Sequence, residues 1–240
     1  MTQPPLLELR DIACRRDDQL VFSNVNLTIH EGDIVVLRGR SGCGKTTLLR
    51  CIAHLILYEG QVLYRGSTPK AYGIPSFRTR MLYVPQRPSM LPGTPQDFLR
   101  MITSLDAHKA HVNALKKDHN YYQDPLERAL EISAKWDVDS SLWEREWANL
   151  SGGETQRIAL AIAVGLNTAE VMLLDEPTSA LDSESSSAVE RYMLNEIRSP
   201  DSALKAMVWI THSDEQGSRV GTKFIQISSG GCFEEPTPLV

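Results

Sequence analysis

No apolar run in the sequence is long. The longest, Ile158 to Leu166, is far short of the roughly 20 residues a helix needs to cross a bilayer, so any membrane role must come through a partner. There is no excess of positive charge either. A net charge of −5 over 240 residues argues against nucleic acid as the main partner and leaves room only for a local basic patch. Cys14, Cys43, Cys51 and Cys232 form neither a C-x-x-C pair nor a zinc spacing, and read as reduced thiols of a cytosolic protein. Met1-Thr2-Gln3-Pro4-Pro5 has no basic or apolar leader pattern, so no signal peptide is expected. Internal repeats and long linkers are lacking as well. What remains is an ordinary globular composition, 42% hydrophobic and 23% charged, long enough for one sizeable core or two small ones.

The most informative stretch runs from Ile34 to Leu49. A β-branched run, Ile34 to Leu37, reads as a buried strand, and Gly39 to Thr46 fits G-x-x-x-x-G-K-[ST] in full. Such a loop turns its backbone N–H groups toward a phosphate and aims a helix N-terminus at the same charge. Gly39, Arg40, Ser41, Gly42, Cys43, Gly44, Lys45, Thr46 and Thr47 are therefore nucleotide-binding candidates. Lys45 would reach the β- and γ-phosphates, and the Thr46 hydroxyl would ligate Mg²⁺. An ordinary glycine turn is the competing reading, and the strand before and helix after argue against it.

Along the chain, strands are expected over Leu6–Ile12 and Val21–Ile29, with Arg15 to Asp18 as the hairpin tip between them. A helix is expected over Leu48–Leu57, ended by Glu59-Gly60, followed by strands at Gln61–Tyr64 and Met81–Val84. From Pro88 to Trp147 helical patterns take over, notably Pro95–Leu105 and Leu126–Trp136, as in a helical insertion into a strand-rich core. His108, His111 and His119 lie in its polar middle; metal binding is one reading, a solvated helix or loop the simpler one. Trp136, Trp143 and Trp147 read as packing residues, or as docking residues if exposed. Ile158–Leu166 reads as a buried helix, Val171–Leu174 and Met207–Thr211 as buried strands, and Ser183 as the cap of a helix burying Val189, Met193 and Ile197. Phe224–Ile227 and Gly231–Glu234 suggest a terminal hairpin, with a loose tail over 236–240. Buried strands alternating with helices mean an α/β core.

Asp175 and Glu176 end one of these strands. Asp175 would hold the Mg²⁺ that Thr46 also touches, and Glu176 could take the proton of a water attacking the γ-phosphorus. A helix-capping pair is the alternative use of two such carboxylates; Lys45 favours the metal and the base.

With these residues the chain resembles the nucleotide-binding domain of ATP-binding-cassette proteins. Leu150-Ser151-Gly152-Gly153-Glu154 resembles the family's signature sequence, continued by Gln156-Arg157; Gln86 matches the Q-loop glutamine, Ser179-Ala180-Leu181-Asp182 the D-loop, and His212 the switch histidine. The resemblance implies one domain over 6–235, an α/β P-loop NTPase core with a parallel sheet, an N-terminal antiparallel β-subdomain and an inserted α-helical subdomain. The core would take 6–86 and about 161–235, and the helical part about 87–160. It implies an ATPase using ATP and Mg²⁺ in a head-to-tail homodimer, with Ser151, Gly152, Gly153 and Asp182 serving nucleotide, Ser151 to Gly153 at the opposite subunit's γ-phosphate. His212 and Lys45 would join Glu176 in catalysis. Gln86 would touch metal and γ-phosphate and report them to the helical insertion.

The sequence departs from the family at the first hairpin, where an aromatic usually stacks on adenine and Arg16 is the nearest match; a guanidinium can stack there too. The signature ends in Glu154 in place of the commoner glutamine. Cys43, beside Lys45 and a helix N-terminus, sits where thiolate chemistry is favoured, although a small residue is all the position needs. The expected role is the ATPase subunit of a transporter, peripheral on the cytoplasmic face of a membrane, driving a separately encoded integral membrane permease. Arg87 to Thr94 resembles small cassettes paired with metal- or sugar-nucleotide-exporting permeases. The alternative is a soluble assembly ATPase, like the cassette protein of iron–sulfur cluster biogenesis. A DNA-repair cassette is set aside because no long coiled-coil pattern is present.

Overall fold

The computed structural model describes residues 4–87, 92–118, 123–228 and 230–235. The chain forms two compact units. The first comprises Met1–Tyr83, Glu170–Glu176 and Lys205–Val240, the second Val84–Ala169 and Pro177–Leu204.

The first unit opens with two long antiparallel strands, β1 (Leu7–Arg16) and β2 (Gln19–Ile29). Asp17 and Asp18 both have positive φ, 50° and 60°, as a two-residue type I′ turn requires. That turn contracts the expected four-residue tip to two, and Arg15 and Arg16 become strand residues paired with Leu20 and Gln19.

The strand β3 (Ile34–Arg38) and helix α1 (Lys45–Ile52) follow. The helix starts earlier and stops earlier than the expected Leu48–Leu57. His54 takes the left-handed conformation, φ 54°, while Leu55 N–H bonds Arg50 C=O and His54 N–H bonds Cys51 C=O, both at 2.9 Å. This is a Schellman stop, formed here without glycine. Glu59 and Gly60 accordingly begin a strand, β4 (Glu59–Tyr64), where a helix end was expected. It completes a three-stranded antiparallel sheet in the order β2-β1-β4.

Two short helices absent from the sequence reading, α2 (Pro69–Tyr72) and α3 (Ile74–Arg80), lead to β5 (Met81–Val84). In the second unit lie α4 (Pro95–Ser104), α5 (Asp106–Asp118), α6 (Pro125–Ala134), α7 (Gly152–Gly165) and α8 (Ser183–Glu196). The remaining elements are β6 (Val171–Asp175), β7 (Ala206–Ile210), α9 (Asp214–Val220), β8 (Lys223–Ser228) and β9 (Gly231–Glu235). The larger sheet runs β5-β6-β7-β3-β8-β9, with parallel pairing of β6 to β7, β7 to β3 and β3 to β8, and β9 antiparallel as the expected terminal hairpin. Strands β6 and β7 are buried at every position, as parallel strands covered on both faces are. Leu48, Leu49 and Ile52 of α1 share one buried core with Val35, Leu37, Leu173 and Val208.

The helical unit packs around its tryptophans. Trp136, Trp143 and Trp147 are all buried; Trp143 Nε1 donates to Ser133 Oγ at 3.0 Å, and Trp136 and Trp147 meet Tyr192 and Phe98 edge-on. Helices α6 and α7 pack closely at Gly165, where an added Cβ would lie 2.7 Å from the Ala129 side chain. On α5, His108 and His111 are buried while Lys109, Ala110, Asn113 and Ala114 are exposed, so the helix turns one face inward and keeps the other solvated. His111 Nε2 lies 3.1 Å from the Thr168 carbonyl, and burial pushes the His108 pKa down. Among the described residues no group of three His, Cys, Asp or Glu side chains could hold a metal ion; His119 lies outside them, as does the tail 236–240. Among the described residues no helix is long and apolar enough to cross a membrane.

Candidate active site

In the first unit, β3 delivers the chain into Gly39–Gly44 and α1 takes it away. Gly39 and Gly44 have φ of 148° and 100°, conformations that favour glycine. A Cβ on Gly39 would lie 2.7 Å from Cys43 Sγ and 2.8 Å from the Ile227 carbonyl, and one on Gly44 would lie 2.8 Å from Val21 and Phe22 of β2. The loop is thus wedged between β8 and the first hairpin. The N-cap of α1 is Gly44, and among the described residues no side chain caps this helix and no acid occupies its first turn. Helices α4, α6, α7, α8 and α9 all have side-chain caps. A helix start left open in this way is what an anionic ligand needs. Buried Lys45 places Nζ 2.9 Å from the Gly39 carbonyl and 3.2 Å from that of Arg40, holding a cation on the loop.

Thr46, on the first turn of α1, donates its hydroxyl to Asp175 Oδ1 at 3.0 Å. Asp175 ends β6 and is 3% exposed. Its other oxygen, Oδ2, accepts from the Tyr83 hydroxyl at 2.9 Å. The Tyr83 phenol is pushed above its ordinary pKa, chiefly by burial, and remains a donor at neutral pH. One residue beyond Asp175, Glu176 adopts φ 49° while its N–H still bonds the Ile210 carbonyl at 3.2 Å. His212, just past β7, brings Nε2 to 2.8 Å from Glu176 Oε1. Lys45, Thr46, Asp175, Glu176 and His212 thus belong to one unit. The hydroxyl and carboxylate of Thr46 and Asp175 are hard oxygen donors on adjoining elements, a set that fits Mg²⁺.

Arg16 ends β1, with its side chain 86% exposed and Asp17 as a partner at 3.8 Å. Its hairpin is the one whose second strand meets Gly44.

The other candidates belong to the second unit. Ser151 caps α7 in a capping box: its Oγ accepts from Glu154 N–H at 3.3 Å, and Glu154 Oε2 accepts from Ser151 N–H at 2.7 Å. The backbone hydrogen bond from Ser151 holds the Glu154 carboxyl below its usual range. Glu154 therefore closes the cap as the commoner glutamine would. Gly152 and Gly153 lie against Ala180, whose carbonyl would be 3.3 Å from a Cβ on Gly153. Asp182, and not Ser183 as expected, caps α8, accepting from the N–H groups of Glu184 and Ser185. An ionised carboxylate accepts these two bonds better than a hydroxyl could.

Two residues make contacts that no local pattern foretells, one of them Gln156 of the signature continuation. Gln156 is 3% exposed and joins two loops: Nε2 donates to the Gln86 carbonyl at 3.4 Å, and Oε1 accepts from Ala180 N–H at 2.9 Å. Tyr83 was the other; its only signal was a polar atom on the short strand beside β6.

Residues 22–179 match the family described as ABC transporter. The phosphate import ATP-binding protein PstB of Pseudoalteromonas translucida is 31% identical over 97% of this chain and 82% of its own length. That of Thermotoga maritima is 30% identical over 96% of this chain and 89% of its own. Among solved structures, a dimeric ATP-binding cassette in a post-hydrolysis state, bound to ADP and Pi, superposes with a TM-score of 0.76 at 24% identity, covering 98% of this chain and 100% of that one. An ATP-binding subunit of an ABC transporter gives 0.78 at 20% identity, over 96% and 89%. These structures show the same fold, an α/β cassette with an antiparallel β-subdomain. The phosphate loop, the strand-end acids and the family match agree: the chain belongs to the ABC transporter family and is one of its ATP-binding, ATP-hydrolysing cassettes.

Proposed function

We propose that the chain is the ATPase subunit of a transporter, forming a head-to-tail dimer around two ATP molecules and driving a separately encoded integral membrane permease from the cytoplasmic face. The observation that carries the hydrolytic part is the sequence of contacts Thr46–Asp175 at 3.0 Å and Glu176–His212 at 2.8 Å, on the last residue of β6 and the one after it. Gly39 to Thr47 would cradle the phosphates, with Lys45 released from its loop carbonyls onto the β- and γ-oxygens. Mg²⁺ held by Thr46 and Asp175 would neutralise charge on those phosphates. Glu176 would accept the proton of the attacking water, and His212, already hydrogen-bonded to Glu176, would hold that carboxylate and contact the γ-phosphate. Ser151, Gly152 and Gly153, at the N-terminus of α7 that Ser151 caps, would meet the γ-phosphate held by a second copy, with Asp182 beside them. Arg16 would stack on the base.

The relatives named as phosphate import proteins support a transport role and make inorganic phosphate the first cargo to test. The competing resemblance, to cassettes of metal- or sugar-nucleotide-exporting permeases, rests on Arg87 to Thr94, of which residues 88–91 lie outside the described residues. Selectivity would reside in the permease. The test is affinity purification of the tagged chain from detergent-solubilised membranes. Recovery of an integral membrane protein, whose reconstitution stimulates ATP hydrolysis, is expected; recovery of a soluble assembly scaffold in its place overturns the transport reading.

A further inference from the structure

The Asp175 carboxylate is held at both ends. Oδ1 takes the Thr46 hydroxyl at 3.0 Å and Oδ2 takes the Tyr83 hydroxyl at 2.9 Å. Thr46 belongs to α1 and Tyr83 to β5, so the two donors come from elements flanking β6. The terminal torsion of an aspartate is broad and roughly two-fold, and backbone geometry alone leaves the carboxylate plane free to turn. Two hydrogen bonds on opposite oxygens fix that plane. The phenol is itself held: the Arg50 guanidinium of α1 lies 5.9 Å from the centre of the Tyr83 ring.

We propose that Tyr83 is a positioning residue for Asp175, its hydroxyl holding one carboxylate oxygen so that the other faces the divalent cation that accompanies ATP. This rests on the reading of Asp175 and Thr46 as ligands of that cation. Groups that orient a metal-binding carboxylate through its second oxygen commonly set metal affinity by about 10–100-fold when removed. Tyr83 touches neither nucleotide nor metal in this role. Its effect passes through Asp175.

Tyr83→Phe keeps the ring over the Arg50 guanidinium and deletes the hydroxyl, with its hydrogen bonds to Asp175 and to Arg50. The test is Mn²⁺ binding, followed by electron paramagnetic resonance, to the protein saturated with ADP. Tyr83→Phe is expected to weaken Mn²⁺ binding about ten-fold. ADP affinity measured in EDTA and the melting temperature should stay at wild-type values. In steady-state ATPase assays the Mg²⁺ concentration for half-maximal rate should rise by a similar factor, with kcat at saturating Mg²⁺ within about two-fold. Mn²⁺ binding that is unchanged or tighter overturns the proposal, because the hydroxyl then orients nothing or competes with the metal. Loss of ADP affinity in EDTA together with a lowered melting temperature also overturns it, since that marks a packing role. Asp175→Asn in the same assay separates the two levels. If it leaves Mn²⁺ binding intact, the metal reading of Asp175 falls and this inference with it. If it weakens Mn²⁺ binding and Tyr83→Phe does not, only the inference about Tyr83 falls.

Discussion

Glu176 Oε1 and His212 Nε2 lie 2.8 Å apart, joining the residue just past β6 to one just past β7. The two strands are paired in parallel, with Asp175 opposite Ile210, so their C-terminal ends put the two side chains side by side. The Glu176 carboxylate is thus oriented by a neighbour just past the end of the adjacent strand. Its backbone is committed as well, through the bond from its N–H to Ile210.

This geometry makes Glu176→Gln a nearly isosteric change that removes the proton acceptor and can keep the hydrogen bond to His212. Loss of a general base slows reactions by about 10²–10⁴-fold. Phosphate release should fall by that order while ATP binding persists, and gel filtration with ATP should show an accumulated dimer. Hydrolysis at the wild-type rate would remove Glu176 from the role of base.

Cys43 gives a second test. Its Sγ would lie 2.7 Å from a Cβ on Gly39, so the thiol already fills the space beside the loop. A maleimide adduct on half-buried Cys43 adds bulk inside the Gly39–Thr46 loop. Labelling should abolish binding of a fluorescent ATP analogue, and prior ATP should protect the thiol. Stoichiometric labelling with full ATPase activity would end the idea.

The acid response of the helical unit follows from its caps. Hydrogen bonds from Thr94, Ser141, Ser151 and Ser185 hold the carboxyls of Asp97, Asp139, Glu154 and Asp182 below their usual range. A lowered native pKa means the unfolded chain binds protons first as pH falls. The stabilisation is therefore complete above about pH 4–5, the unfolded carboxylate range, and is lost as pH drops through the native values. In urea melts between about pH 5 and pH 2.5, Asp97→Asn/Asp139→Asn should flatten the fall of the midpoint relative to wild type. Parallel curves would assign the acid sensitivity to other groups.

Gly60 and Gly66 make a matched pair. Both have positive φ, 92° and 76°, but a Cβ on Gly60 would lie 2.4 Å from the Asp11 carbonyl oxygen, whereas one on Gly66 would meet nothing within 4 Å. Gly66→Ala should cost about 1–2 kcal/mol of left-handed strain. Gly60→Ala adds a backbone clash where β4 meets β1 and should cost about 3 kcal/mol or more. Urea denaturation compares the two, and equal losses would contradict the close approach of the strands.

The glycine turn at Gly39–Gly44, the acids that follow the apolar run of β6 and the start of α7 at Ser151 were legible in the sequence because each is a local pattern: a turn that needs glycine, an acid at the end of an apolar run, a cap before a helix. Boundaries were less legible. His54 stopping α1 and Asp17-Asp18 forming the whole hairpin turn both depend on non-glycine residues entering the left-handed region, which composition signals only weakly. Asp182 outcompeted Ser183 as a cap through the charge of its carboxylate.

By itself the sequence determined a glycine-rich loop between a buried strand and a helix, two acids following the apolar run of β6, and an α/β core, since the periodicity of buried strands and the residue types such a loop needs are written in neighbouring positions. Tertiary structure alone decided which groups orient those acids. Tyr83 reaches Asp175 across 92 residues and Thr46 reaches it across 129, and His212 meets Glu176 only because β6 and β7 pair in register. The physical reason is that hydrogen bonds act over about 3 Å, and only the ordering of the strands in the sheet brings such distant residues within that reach.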